Sequence, residues 1–172
     1  MGDSLPANKI FIPVKGSPRI ITNNMKDFDE LIGCKISSGY TVDYCYFGYT
    51  LSIFVDDSGI YNNLPINPLA SVLLKEKGPV FGNCILIDDY KELTIEDLSI
   101  LIKISKLIPS QDWMPEPLLE QYDELKSQSK DDPFYQYMLS TYKSALKIGT
   151  KQERMRIWDQ VKEYYVPPTD DE

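Results

Sequence analysis

The sequence predicts an α+β fold: a small, mostly antiparallel β-sheet with short helices, followed by a C-terminal helical extension of about four helices. Three observations carry this expectation. Up to about residue 90, short β-branched and aromatic runs alternate with Gly and Pro, the punctuation of strands and turns. Beyond about residue 93 the apolar residues recur at helical spacing instead. Finally, 42% apolar residues in a chain of 172 suffice to build a core for one domain.

Taken in order, residues 8–14 read as a strand, with Pro13 marking its end or an edge. Gly16, Ser17 and Pro18 make a turn into a short strand over 19–22. Residues 24–32 read as a two-turn helix that Asn24 can cap, with Phe28, Leu31 and Ile32 on one face and Gly33 available for the C-terminal left-handed position. Val42, Tyr44 and Tyr46 alternate with Asp43, Cys45 and Phe47, predicting a strand over 41–47. A second strand is expected over 49–55, with Tyr44, Tyr46 and Tyr49 packing on the sheet.

Asp56, Asp57, Ser58 and Gly59 form a turn. Asn67 can then cap a short helix with Pro68 at its first position, Gly78-Pro79 ends that helix, and 80–87 reads as a buried strand.

Thr94-Ile95-Glu96-Asp97 resembles a capping box and opens a helix to about Ile108, apolar on more than one face and so expected to pack on two sides. Pro109 stops it. A helix from Pro115-Glu116-Pro117 carries Leu118, Leu119, Tyr122 and Leu125; Asp132-Pro133 opens another with Phe134, Met138, Tyr142 and Ala145. Gly149-Thr150 separates that from a last helix over about 151–165, where Met155, Trp158, Val161 and Tyr165 form a stripe. This divides the chain into an α+β core over 1–108, a helical extension packed on it over 109–166, and an acidic tail over 167–172.

Composition excludes several chemistries. The chain has no histidine, so Ser-His-Asp triads, Cys-His pairs and H-E-x-x-H zinc sites are absent. It has no P-loop, G-x-G-x-x-G or G-x-S-x-G either, so neither a cofactor nor a metal is expected. The start of the sequence lacks a basic and apolar leader, and Pro6 stands where a myristoylation pattern needs Ser or Thr. Glu96, Asp97, Lys103 and Lys106 interrupt the longest oily stretch, so no membrane partner is expected. Cys34, Cys45 and Cys84 match no C-x-x-C spacing and read as buried free thiols of a reducing, intracellular compartment.

The net charge of −8 is unevenly distributed. Residues 143–162 carry Lys143, Lys147, Lys151, Arg154, Arg156 and Lys162 against Glu153 and Asp159. This segment is either the solvated face of an amphipathic helix or a contact surface for phosphate or an acidic protein face.

Residues 8–90, about half of the chain, resemble a small uncharacterised domain family of phage and large DNA virus proteins. Four pieces in order carry the resemblance: Phe28-Asp29-Glu30-Leu31-Ile32-Gly33, Phe54-Val55-Asp56-Asp57-Ser58-Gly59, Leu64-Pro65-Ile66-Asn67-Pro68-Leu69-Ala70, and Phe81-Gly82-Asn83-Cys84-Ile85-Leu86-Ile87. The third, an L-P-x-N-x-x-A element, is the most specific. The resemblance implies a viral or mobile-element origin and a small α+β fold, and brings no catalytic residues with it. Host cytoplasm or viral particle is the location this implies.

The function expected is therefore a non-enzymatic viral accessory protein that binds a host or viral protein partner. The residues expected to meet that partner are Leu64 and Pro65, as a rigid apolar knob, and Arg154, Trp158, Tyr164 and Tyr165, whose aromatic and arginine composition matches interface hot spots. One alternative is nucleic-acid binding through Lys147, Lys151, Arg154 and Arg156. Another is a carboxylate metal-dependent enzyme with Asp56, Asp57, Asp88 and Asp89 converging on Mg²⁺; the same acids also suit plain turns.

Overall fold

A computed structural model describes residues 8–22, 27–32, 38–42, 51–56, 63–74, 79–88, 92–128 and 131–164. Within them β1 (Lys9–Ile12), β2 (Arg19–Ile21), β3 (Ser38–Val42), β4 (Leu51–Val55) and β5 (Cys84–Asp88) form one sheet in the order β2-β1-β5-β4-β3. Every neighbouring pair is antiparallel, so the α+β class with an antiparallel sheet holds. β5 is buried along its whole length and takes the centre, which suits its Cys-Ile-Leu-Ile run: a strand covered on both faces has no need of polar alternation.

Alternation along the strands sorts apolar side chains to two faces. Ile10, Ile12, Ile53, Val55, Cys84 and Leu86 meet α2 (Pro68–Leu74), α3 (Ile95–Leu107) and α7 (Lys151–Lys162) in the largest core. Phe11, Ile21, Ile85 and Ile87 face the other way, against Phe28 and Ile32 of α1 (Phe28–Ile32). There Phe28 meets half-buried Phe54 edge-on, with ring centroids 5.5 Å apart. α4 (Glu116–Leu119), α5 (Tyr122–Ser127) and α6 (Pro133–Leu146) form a second cluster, in which Met114, Leu118, Met138 and Tyr142 close over Ile66 and Phe81.

The expected capping box is present. Thr94 Oγ1 accepts from Asp97 N–H at 3.2 Å, and Asp97 Oδ2 accepts from Thr94 N–H at 2.8 Å, satisfying two otherwise orphaned donors at the start of α3. α3 packs less evenly than its apolar content suggests: Leu101 and Ile104 are buried, but Ile95 is 74% exposed.

Three element boundaries depart from the sequence reading. The strand expected over 80–87 is only Cys84–Asp88, because Gly82 takes φ +86° and Val80 turns aside to accept from Asn67 N–H at 2.7 Å. The helix expected from residue 115 breaks into α4 and α5 where Gln121 N–H bonds back to Leu118 O, tightening the turn. The strand expected over 41–47 begins earlier, at Ser38. The remainder of that strand, residues 24–26 of the first expected helix, Gly33, Tyr44, Tyr46, Tyr49, Cys34, Cys45 and the tail over 167–172 lie outside the described residues.

α7 does not stand apart from the first 108 residues. Trp158 and Val161 share one continuous core with the sheet, as does Trp113.

Candidate functional site

The L-P-x-N-x-x-A element is a structural hub before it is a surface. Asn67 is 1% exposed, and its side-chain Nδ2 donates to Ile12 O and Gly82 O, each at 3.0 Å. Its Oδ1 accepts from Ala70 N–H at 3.1 Å, the capping bond the sequence predicts for α2. One amide thus ties the end of β1 and the approach to β5 onto the start of α2. Ser71 adds a further link by donating to Asn67 O at 2.8 Å and accepting from Val80 N–H at 2.8 Å.

Two neighbours complete the frame. Gly82 is left-handed, a conformation that favours glycine, and a Cβ there would lie 2.8 Å from Leu64 Cδ1, so Leu64 would also have to shift. Asn83 accepts from Val14 N–H at 2.9 Å and donates to Leu31 O at 3.2 Å, tethering the chain after β1 to the end of α1.

This frame leaves Pro13 and Val14 as a ridge between two open hollows. One, of about 390 Å³, is walled by the ridge, Lys15, Ile32, Leu64, Pro65, Gly82 and Asn83. The other, of about 310 Å³, lies between the start of α2 (Asn67, Pro68, Leu69) and the end of α3 with its following loop (Ser105 and residues 108–111), again with Pro13 and Val14. Gln111 Nε2 reaches across to Val14 O at 3.3 Å. Among the described residues, Lys15 is the sole ionisable side chain lining either hollow. Four of the lining residues, Pro13, Pro65, Pro68 and Pro109, have φ fixed by their rings.

Of the five described residues among the six expected to meet a partner, the structure brings Leu64 and Pro65 to this site: Leu64 is half-buried and Pro65 is exposed. Arg154 is a correction. It is 6% exposed, with Nε 2.6 Å from Glu116 Oε1 and a terminal nitrogen donating to the carbonyls of Leu146, Ile148 and Gly149 at 3.0–3.3 Å. Its charge is spent on the exposed carbonyls after α6, where a cation is favoured, and on joining α4 to α7. Trp158 is 8% exposed and belongs to the main core. Tyr164 is half-buried against that same core, and Tyr165 lies outside the described residues.

The basic segment also changes character. With Arg154 removed inward, Lys143 of α6, Lys147 after it, and Lys151, Arg156 and Lys162 of α7 remain exposed, the last three interleaved with Glu153 and Asp159. Lys162 pairs with Asp159 at 3.1 Å. A mixed face of this kind makes a weak phosphate track.

Asp56 and Asp88 do not converge. Leu51 faces Asp88 across the ladder, and Asp56 follows five residues further along β4, so the two lie at opposite ends of the strand pair. At ~3.3 Å per residue that is roughly 16 Å, too far for one Mg²⁺ with oxygens near 2.1 Å. Asp57 and Asp89 lie outside the described residues. No group of three or more acids or thiols placed to hold a metal occurs among the described residues.

The sequence reading missed Val14, Lys15, Ser105, Ser110 and Gln111. Pro13 and Pro109 were legible as a strand end and a helix stop, but nothing local says that punctuation almost a hundred residues apart lines one surface.

Comparison with known proteins gives no match: no protein family, no curated protein and no solved structure corresponds to this chain. The resemblance of residues 8–90 to a viral family gains no support from it.

Proposed function

We propose that this chain is a non-enzymatic protein-binding module whose contact face is the Pro13–Val14 ridge with its two hollows. The observation that carries this reading is a preformed, proline-walled and almost uncharged surface on a chain of net charge −8. Rigid apolar walls lose little conformational freedom on binding, which favours association. The chemistry of the lining agrees. Ser105 donates its hydroxyl to Ile102 O, Ser110 Oγ accepts from Asp112 N–H, and no base lies among the lining residues to activate either hydroxyl. The viral accessory role and an intracellular or virion location extend this reading through the resemblance of residues 8–90 and set where a partner is sought. No helix among the described residues is long and apolar enough to cross a membrane.

The test uses the full chain, since truncation after residue 108 would strip Trp113, Trp158 and Val161 from the core. Wild type, a rim variant (Pro65→Arg with Pro109→Arg, both exposed) and a control on α7 (Met155→Arg with Arg156→Glu, also exposed) are compared by affinity capture from infected host cells. A partner held by wild type and the α7 control, and reduced at least about tenfold by the rim variant, supports the reading. Equal recovery by the rim variant, or loss only with the α7 control, overturns it.

A further inference from the structure

We infer that the occupant of this face is an extended polypeptide segment that lays apolar side chains into the two hollows and sets a single carboxylate against Lys15. The inference rests on the protein-binding reading and names the partner's chemistry.

Three observations lead to it. First, the hollows are separate and share only the Pro13–Val14 ridge and its immediate surroundings, so a compact ligand fills one while an extended chain crosses the ridge and reaches both. Second, the ridge offers no free backbone N–H to an incoming strand. Pro13 has no N–H, Val14 N–H is given to Asn83 Oδ1 at 2.9 Å, and Val14 O accepts from Gln111. Recognition here must run through side chains in pockets and not through strand addition.

Third, the charge is one-sided. Lys15 is exposed at the Leu64–Pro65 hollow, whereas the α2–α3 hollow has no ionisable lining residue among those described. A carboxylate beside the first hollow therefore fixes which way the segment runs. The net charge of −8 argues for one such group in an apolar segment, because an acidic tract would be repelled on approach.

The probe is a displayed library of random linear peptides, selected on the purified full chain, with winners remeasured as free peptides against the variants. Enriched peptides should combine apolar residues with one Asp or Glu. They should weaken about tenfold on the Pro65→Arg with Pro109→Arg variant. On Lys15→Glu they should weaken about threefold to tenfold, and that variant should select Lys or Arg in place of the acid.

Peptides that respond to the rim variant but ignore Lys15→Glu would overturn the carboxylate and the fixed direction while leaving the protein-binding reading intact. Absence of any enriched peptide, or binding indifferent to every rim change, would overturn the extended-segment inference. The capture experiment with the same rim variant then decides separately whether a folded partner uses the face.

Discussion

Asn67 offers the sharpest test of how this fold is held. In an Asn67→Ala variant three side-chain hydrogen bonds disappear: those to Ile12 O, to Gly82 O and from Ala70 N–H. At about 1 kcal/mol net each, and with buried groups left unsatisfied beside them, the expected loss is about 3–5 kcal/mol. A domain of this size has only about 5–15 kcal/mol in total. The main-chain bonds of residue 67, to Val80 O and from Ser71 N–H, survive the change.

Asn67→Ser separates the two roles of the side chain. A serine hydroxyl can cap α2 and recover about 1 kcal/mol, but it cannot reach two carbonyls as a donor. Asn67→Asp caps equally well yet points a carboxylate oxygen at both carbonyls. The folded state then favours the protonated acid, so its carboxyl pKa lies above the unfolded value of about 3.9. Between those two values the folded state binds the extra proton, so stability should fall as pH rises through that window and level off above it. Urea unfolding with unchanged slope gives each difference from the midpoint. If Asn67→Ser restored wild-type stability, or Asn67→Ala cost under about 1 kcal/mol, the tethering role would be refuted and only a helix cap would remain.

The remaining predictions concern buried groups elsewhere. Arg154→Met should cost about 3–5 kcal/mol because it strands Glu116 beside uncapped carbonyls, while Arg154→Met with Glu116→Leu should cost less than Arg154→Met alone; urea midpoints check both. Cys84 is fully buried and its thiol is pushed well up by desolvation, so alkylation followed by peptide mapping should leave it unmodified in the native protein and label it in urea. Burial pushes the Tyr142 phenol up to about 12. The unfolded chain releases this proton near pH 10, so stability should decline from about pH 10 to about pH 12, and a Tyr142→Phe variant should lose that part of the decline.

The local elements were legible because their causes are local. The Thr94–Asp97 capping box, Pro68 at the start of α2 and the alternating burial along β4 each follow from residues within a few positions of one another. β5 illustrates the limit. Its apolar run was plain, but its start was set by Asn67, which draws Val80 and Gly82 away from the ladder across more than ten residues.

Composition and order alone determined the antiparallel α+β class, the caps and the absence of histidine chemistry. Tertiary structure decided which charges are surface and which are scaffold. Arg154 reads in sequence as one of six cations on a basic segment, and only the meeting of α4, α6 and α7 turns it inward onto Glu116. The same holds for the ridge and its hollows. Pro13, Pro65, Pro68 and Pro109 act locally at the ends of secondary structure, and become one surface only because Asn67, Asn83 and Gln111 pin their loops together. Periodicity reports which side of an element is buried; it holds no information about which distant element covers that side.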